Sequence, residues 1–252
     1  MLKTRIMPTL LYKDLGLIKS IKFDSWRRVG APLQAIKVFN LREVDELIFL
    51  DISATNAGRE PDFALIDELA DYCFMPMTVG GGVRTIEHVR KLLKVGADKV
   101  SLNSIVPDNM SLITEIANKF GSQCVVVSID AKRDGKGGHE AYTHSGKMAT
   151  GRKPENIARQ AEESGAGEIL LTSIDNDGTM EGYDLELIKK VSDSISIPLI
   201  ASGGCGSFEH MLQALATAKA SAVAAASIYY YTEQTPLEAK RYLEANGIKV
   251  RI

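Results

Sequence analysis

The chain repeats itself at half its length. Pro76-Met77-Thr78-Val79-Gly80-Gly81-Gly82, followed by Glu87-His88, aligns with Pro198-Leu199-Ile200-Ala201-Ser202-Gly203-Gly204, followed by Glu209-His210, at a spacing of 122 residues. The same spacing lays Glu46-Leu47-Ile48 on Glu168-Ile169-Leu170, and a one-residue shift brings Lys99-Val100 onto Ala222-Val223 and Ser104 onto Ser227. The fold must therefore divide into two similar halves, each built of several elements. Eight short apolar runs supply the strands: Arg5–Leu11, Glu46–Ile52, Met75–Val79, Asp98–Leu102, Gln123–Asp130, Glu168–Ser173, Pro198–Ser202 and Ser221–Ala226. Between them apolar residues recur at helical spacing, as in Ile86, Val89, Leu92 and Leu93, or Leu185, Ile188 and Val191. Near-continuous apolar strands fit a parallel sheet covered by helices, and eight strand–helix units in 252 residues is the usual content of a closed barrel. Residues 1–252 are thus expected to form one α/β domain, a (β/α)8 TIM barrel of two half-barrel repeats. An open doubly wound sheet is the alternative, and it gives no reason for a half-chain repeat.

Charge narrows the function classes. The chain carries 30 Lys+Arg against 32 Asp+Glu with the signs mixed along it. Nucleic-acid binding requires many cations neutralising phosphates, so nucleic acid is not an expected partner. No apolar run approaches the ~18 residues of a membrane span. Met1–Tyr12 lacks a leader's apolar stretch, so no membrane association is expected and the cytoplasm is the expected location. Cys73, Cys124 and Cys205 are odd in number and lack CxxC spacing, so they read as buried thiols; neither a metal nor a cofactor is expected.

Gly80-Gly81-Gly82 and Gly203-Gly204 each follow an apolar strand and precede a helix. Without Cβ, glycine lets backbone N–H groups close on an anion, and the helix N-terminus behind adds partial positive charge. One such loop is equally a tight turn. Two in equivalent contexts, each joined one unit later by short polar side chains at Asn103-Ser104 and Ser227, imply two phosphate seats on opposite sides of one mouth. The expected ligand is a small molecule phosphorylated at both ends.

A barrel of this kind places its acids and bases at the C-terminal ends of strands. Asp130 closes the fifth run and is the first candidate; Asp51, closing the second, reads equally as a turn cap. Asp177 with Gly178 reads as serving the second phosphate seat. Lys19 falls after the first run, in a segment taken as a loop whose cation closes over a phosphate, a solvated surface lysine being the alternative. Arg5, Glu46, Lys99 and Glu168 sit at the starts of four of the strands and mark the N-terminal face, where two cations and two anions make a neutral ring around the axis. Charges at such a constriction have to be paired, and spacing alone favours a structural plug.

Several segments are familiar together. Phe49-Leu50-Asp51-Ile52, Thr78-Val79-Gly80-Gly81-Gly82-Val83-Arg84, Gly96-Ala97-Asp98-Lys99-Val100-Ser101-Leu102-Asn103-Ser104, Asp130-Ala131-Lys132-Arg133, Gly165-Ala166-Gly167-Glu168-Ile169-Leu170-Leu171-Thr172-Ser173 and Ala201-Ser202-Gly203-Gly204 resemble the cyclase subunit of imidazole glycerol phosphate synthase, the HisF family. The resemblance runs from Arg5 almost without gaps to the end of the chain. It implies a barrel whose N-terminal face docks a HisH-like glutaminase as a heterodimer. Ammonia then passes along the core and reacts at the mouth with a bis-phosphorylated aminoimidazole ribulotide. It further implies that Arg5, Glu46, Lys99 and Glu168 gate the ammonia passage and that Asp98 and Gln123 lie near the glutaminase contact. Gly82, Asn103, Ser104, Asp177, Gly178, Gly204 and Ser227, with the adjoining Gly81 and Gly203, match the two phosphate sites; Asp130 and Lys19 match catalytic positions.

One position departs from the family. Where it carries its other catalytic aspartate, this chain reads Pro8-Thr9-Leu10-Leu11-Tyr12-Lys13-Asp14-Leu15, with Leu11 at the acid/base position, and the Leu15-Gly16-Leu17-Ile18 segment before Lys19 is also altered. A leucine cannot carry a proton, and general acid–base help is worth about 10²–10⁴ in rate. The combination resembles a HisF-like branch of bacterial surface-polysaccharide synthesis, in which ammonia goes to a sugar amidotransferase that forms an acetamidino group. A histidine-pathway cyclase that relies on Asp130, with Asp51 or a water, is the second reading. A sugar-phosphate isomerase, which needs two strand-end aspartates, is the third.

Overall fold

The computed structural model describes residues 3–252; Met1 and Leu2, which begin the segment read for a leader and the domain assigned to 1–252, lie outside the described residues. In chain order, β1 (Arg5–Lys13) overruns the barrel into an arm, β2 (Gly16–Ser20) and β3 (Trp26–Gly30), before α1 (Pro32–Leu41). Three simple units follow: β4 (Leu47–Asp51) with α2 (Phe63–Ala70), β5 (Met77–Gly80) with α3 (Ile86–Lys94), and β6 (Lys99–Leu102) with α4 (Ser111–Phe120). The second half begins like the first: β7 (Val125–Arg133) overruns into an arm, β8 (His139–Thr143) and β9 (Met148–Ala149), before α5 (Pro154–Glu163). It continues with β10 (Glu168–Ser173), α6 (Leu185–Ser192), β11 (Leu199–Ser202), α7 (Phe208–Ala216), β12 (Ala222–Ala225), α8 (Ser227–Tyr231) and α9 (Pro236–Ala245).

β1, β4, β5, β6, β7, β10, β11 and β12 pair in parallel in that order, and β12 returns to β1 with Arg5 opposite Ala222. The expected (β/α)8 barrel is therefore formed, and closure removes the strand edges an open sheet would expose. All eight apolar runs are strands; the largest extension is at β7, one of the two strands that overrun into arms.

The repeat extends to individual hydrogen bonds. Asp62 caps α2 by accepting from Leu65 N, and Asp184 caps α6 by accepting from Leu187 N. Thr85 caps α3 through His88 N as Ser207 caps α7 through His210 N. Leu47 N donates to Pro76 O at 2.9 Å, and Ile169 N to Pro198 O at 3.0 Å. Each such cap is worth about 1 kcal/mol; the halves match because capping residues of the same kind, Asp with Asp and Thr with Ser, recur 122 residues apart.

Alternation along the strands sorts side chains into two cores. Ile6, Leu10, Leu47, Phe49 and Val79 point outward to the helices. Inside, the charged ring at the N-terminal face is followed by an apolar layer of Met7, Ile48, Val126, Leu170, Ile200 and Ala224. Beyond it Thr9, Ser101, Ser128, Thr172 and Ser202 carry the inner wall into the mouth.

Among the described residues no helix is long and apolar enough to cross a membrane. All three cysteines are free, but only Cys205 is buried. Cys73 and Cys124 are half-buried, contrary to the reading of all three as buried, because each lies on a surface connection where its thiol donates to a local carbonyl, Met75 O and Phe120 O.

Candidate functional site

The C-terminal strand ends open into a cavity of about 590 Å³. All nine residues assigned to the phosphate seats line it, together with Asp130 and Leu11. Gly81 and Gly204 have φ of +111° and +103°; a Cβ there would stand 2.2 Å from Asp51 O and 2.0 Å from Gly182 O. Only glycine lets both loops bring their backbone this close to neighbouring chain, which keeps N–H groups at the rim of the mouth.

Strand register locates the missing acid. Leu11 lies opposite Leu50 on β4, and Asp130 lies opposite Thr172 on β10; Leu50 and Thr172 are themselves repeat equivalents, 122 residues apart. On the arm side Leu11 faces Ile18 and Asp130 faces Tyr142. The two residues thus hold equivalent places in the two halves, one apolar and one acidic.

Burial pushes the Asp130 carboxyl up to about 7, against a hydrogen bond from Asn103 that favours the ionised form and with help from the charge of Asp177. Asp177 is raised to about 6, again by burial, with Lys19 and the Ser20 hydroxyl pulling the other way. Lys19 is lowered to about 7 by burial, which the charge of Asp177 only partly offsets. Asp130 and Asp177, both on the wall of the mouth and both poised near neutrality, with buried Lys19 acting on Asp177 from behind, make an acid–base centre in chemical terms.

Lys19 is not the loop residue the sequence suggests. It sits on β2 with its side chain buried, donating to Thr9 O at 2.9 Å and lying 4.7 Å from the centre of the Tyr230 ring. It lines the arm's inner packing and not the cavity wall, because the segment after β1 pairs back on β1 as a hairpin. Asp51 is a turn cap: its Oδ1 accepts from Ser53 N, Ser53 Oγ and Ala54 N, and Arg59 pairs with Oδ2 at 3.3 Å. Asn103, assigned to a phosphate, spends its amide on Ser128 O and on Asp130 Oδ2 at 3.0 Å.

Burial of Asp130 has a signed consequence for stability. Burial holds its folded carboxyl up to about 7 against an ordinary 3.8, so between these the folded protein holds a proton that the unfolded chain releases. Stability contributed by this group falls as pH rises through that window. Asp130→Asn is expected to leave the unfolding midpoint unchanged near pH 4 and to add on the order of 3 kcal/mol at pH 8, read by thermal unfolding at the two pH values.

At the opposite end, Arg5, Glu46, Lys99 and Glu168 close a ring of alternating charges. Arg5 Nη1 lies 2.8 Å from Glu46 Oε1 and 3.0 Å from Glu168 Oε1; Lys99 Nζ lies 2.9 Å from Glu46 Oε2 and 2.8 Å from Glu168 Oε1. Burial alone would raise the Glu168 carboxyl, but Arg5 and Lys99 outweigh it and hold it below the usual range. Asp98 is close by in sequence, its Oδ2 accepting from Met77 N at 2.8 Å, while exposed Gln123 donates to Phe120 O.

Sequence reasoning missed the arms, which bring Ile18, Phe23 and Trp26 from one side and His144 and Ser145 from the other to the cavity. The one available signal was Gly146 after His144-Ser145, since all three have positive φ and make the tight tip of the second arm.

With this geometry in hand, a family model described as histidine biosynthesis protein matches residues 5–235. The chain belongs to that family. The matched span contains every barrel strand, from Arg5 at the start of β1 to beyond β12, along with both arms and both glycine loops. Membership in the histidine biosynthesis protein family agrees with the two-halved barrel; Leu11 is the feature of this member that its chemistry has to accommodate.

Proposed function

We propose that the chain is a HisF-like synthase subunit that receives ammonia from a HisH-like glutaminase docked on its N-terminal face. It delivers that ammonia at the mouth, where a sugar amidotransferase uses it to form an acetamidino group in surface-polysaccharide synthesis. Leu11 is the observation that carries this reading: the half-barrel equivalent of Asp130 is an aliphatic side chain, so the mouth lacks the second strand-end carboxyl that ring closure would use. The inner wall supports conduction. Ammonia is small and neutral, and the apolar layer between the charged ring and the mouth disfavours ammonium, whose burial without a partner costs several kcal/mol or more. The glycine loops and Ser104 and Ser227 are read as seats for a phosphorylated small molecule that occupies the mouth. The sugar acceptor rests on the resemblance of the Leu11-bearing pattern to the polysaccharide branch.

A histidine-pathway cyclase is the second reading. It is favoured by Asp177, which shares the mouth with Asp130 and whose proton affinity is drawn toward neutrality, so that it supplies an alternative proton-transfer group. Turnover of the purified protein with the aminoimidazole ribulotide and free ammonium decides between them. The first reading expects no product above the protein-free rate, and sustained turnover would replace it with the second.

A further inference from the structure

Asn103 stands between the acid and the first phosphate seat with its hydrogen-bonding direction forced. Its Nδ2 donates to Ser128 O at 3.1 Å and to Asp130 Oδ2 at 3.0 Å, and its Oδ1 accepts from Ser104 Oγ at 3.1 Å. Ser104 Oγ in turn accepts from the backbone N–H of His144, at the tip of the second arm, at 3.0 Å. A serine hydroxyl has one proton to give. In this arrangement it goes to Asn103, and it cannot at the same time go to an anion seated on the Gly81-Gly82 loop.

We propose that Ser104 and Asn103 form a relay through which an anion in the first phosphate seat loads Asp130 with a proton. The inference rests on the reading of Gly81, Gly82 and Ser104 as a phosphate seat. A phosphate oxygen, being charged, is a stronger acceptor than an amide oxygen and takes the Ser104 proton. Asn103 Oδ1 then loses the donor that polarises its amide, and Nδ2 becomes a poorer donor to Asp130 Oδ2. The negative charge of the anion acts in the same direction. Both changes favour the protonated carboxyl, and the proton is taken from solvent with no other bond made or broken. Asn103 and Ser104 are positioning residues here; the acid is Asp130.

The charged and titratable groups around Asp130 leave this route open. Asp177, from the loop after β10, already opposes ionisation of Asp130. Lys19 on β2 acts on Asp177. Asp51 at the end of β4 is paired with Arg59. On the second arm, His144 turns its ring Nδ1 to Thr143 Oγ1 at 3.0 Å and offers the relay only its backbone N–H. By reciprocity, an anion must bind the seat more tightly when Asp130 is protonated.

Sulfate tests this, because it stays a dianion across the range in which Asp130 titrates. On the full chain, sulfate affinity read from the backbone amide resonances of Gly82 and Ser104 is expected to be about tenfold tighter at pH 5.5 than at pH 8.5, the counterpart of a one-unit shift. The titration midpoint of the Asp130 carboxyl carbon is expected to rise with saturating sulfate. Asp130→Asn should abolish the pH ratio. Ser104→Ala should weaken sulfate at both pH values, with the glycine N–H groups still holding it, and lose most of the ratio; Ser104→Thr, which keeps the hydroxyl, should restore it. An unchanged ratio in Ser104→Ala would mean charge repulsion across the mouth without a relay and would overturn the inference. A fixed Asp130 midpoint with sulfate bound would do the same. Gly82 and Ser104 resonances that never respond to sulfate would instead remove the phosphate seat itself, and the relay with it.

Discussion

Replacing Leu11 by aspartate is expected to raise turnover of the aminoimidazole ribulotide with free ammonium by about 10²–10⁴-fold over the unmodified protein, the usual worth of a positioned acid or base. The new carboxyl would stand at the half-barrel equivalent of Asp130, with Leu50 beside it on β4 and Ile18 opposite it on the arm. Those neighbours are apolar, so its proton affinity should rise as that of Asp130 does, toward the range useful for proton transfer at neutral pH. The same surroundings make the substitution cost about 1–3 kcal/mol of stability, which a lowered unfolding midpoint would report. Initial rates of ring-closed product formation are the decisive readout. A folded variant as inactive as its parent would show that the Leu15–Ile18 segment or the arm, and not the lost acid alone, separates this mouth from a cyclase's.

Removing the Lys99 ammonium should produce the second large effect. In the ring, Lys99 and Arg5 each bridge the same two glutamates. Lys99→Ala leaves two largely buried carboxylates sharing one guanidinium, a net charge of −1 at the N-terminal end of the barrel. Loss of one partner from a buried pair costs about 3–5 kcal/mol, and retention of Arg5 puts the expected loss at the low end. Lysine at this place also sets how the glutamates are spaced across the opening. If a glutaminase docks on this face as proposed, glutamine-fed product formation is expected to fall well out of proportion to ammonium-fed product formation, because free ammonium would enter from the mouth side. Equal losses in the two assays would reduce the ring to a structural plug.

The barrel was legible because its evidence is periodic: apolar runs for the strands, glycine pairs for the loops, and one spacing for both halves. The arms were not legible, for identifiable reasons. β2 is buried along its whole length and β3 is mostly exposed, so neither shows the alternation by which a half-buried strand is recognised. On β8 the inward positions include His139, whose Nε2 lies 3.0 Å from Asp184 Oδ2, a partner 45 residues away. Lys19 misled for the same reason, since Thr9 O and the Tyr230 ring that receive it come from other elements. The charged ring could be listed from strand starts, but its alternation follows from barrel register. Asn103 lines the mouth where the sequence put it, but nothing in sequence says that its amide faces Asp130.

If the two-halved mouth seats an anion on each side, as proposed, it has a problem of orientation. Were the halves chemically identical, a molecule anionic at both ends would fit head-first and tail-first equally well, and half of all encounters would present the wrong atom to the reacting side. Leu11 facing Asp130 across the pseudo-twofold removes that degeneracy. One flank of a ligand stretched between the seats would meet an aliphatic wall and the other a titratable acid, so the site has a handedness that the backbone of the barrel does not.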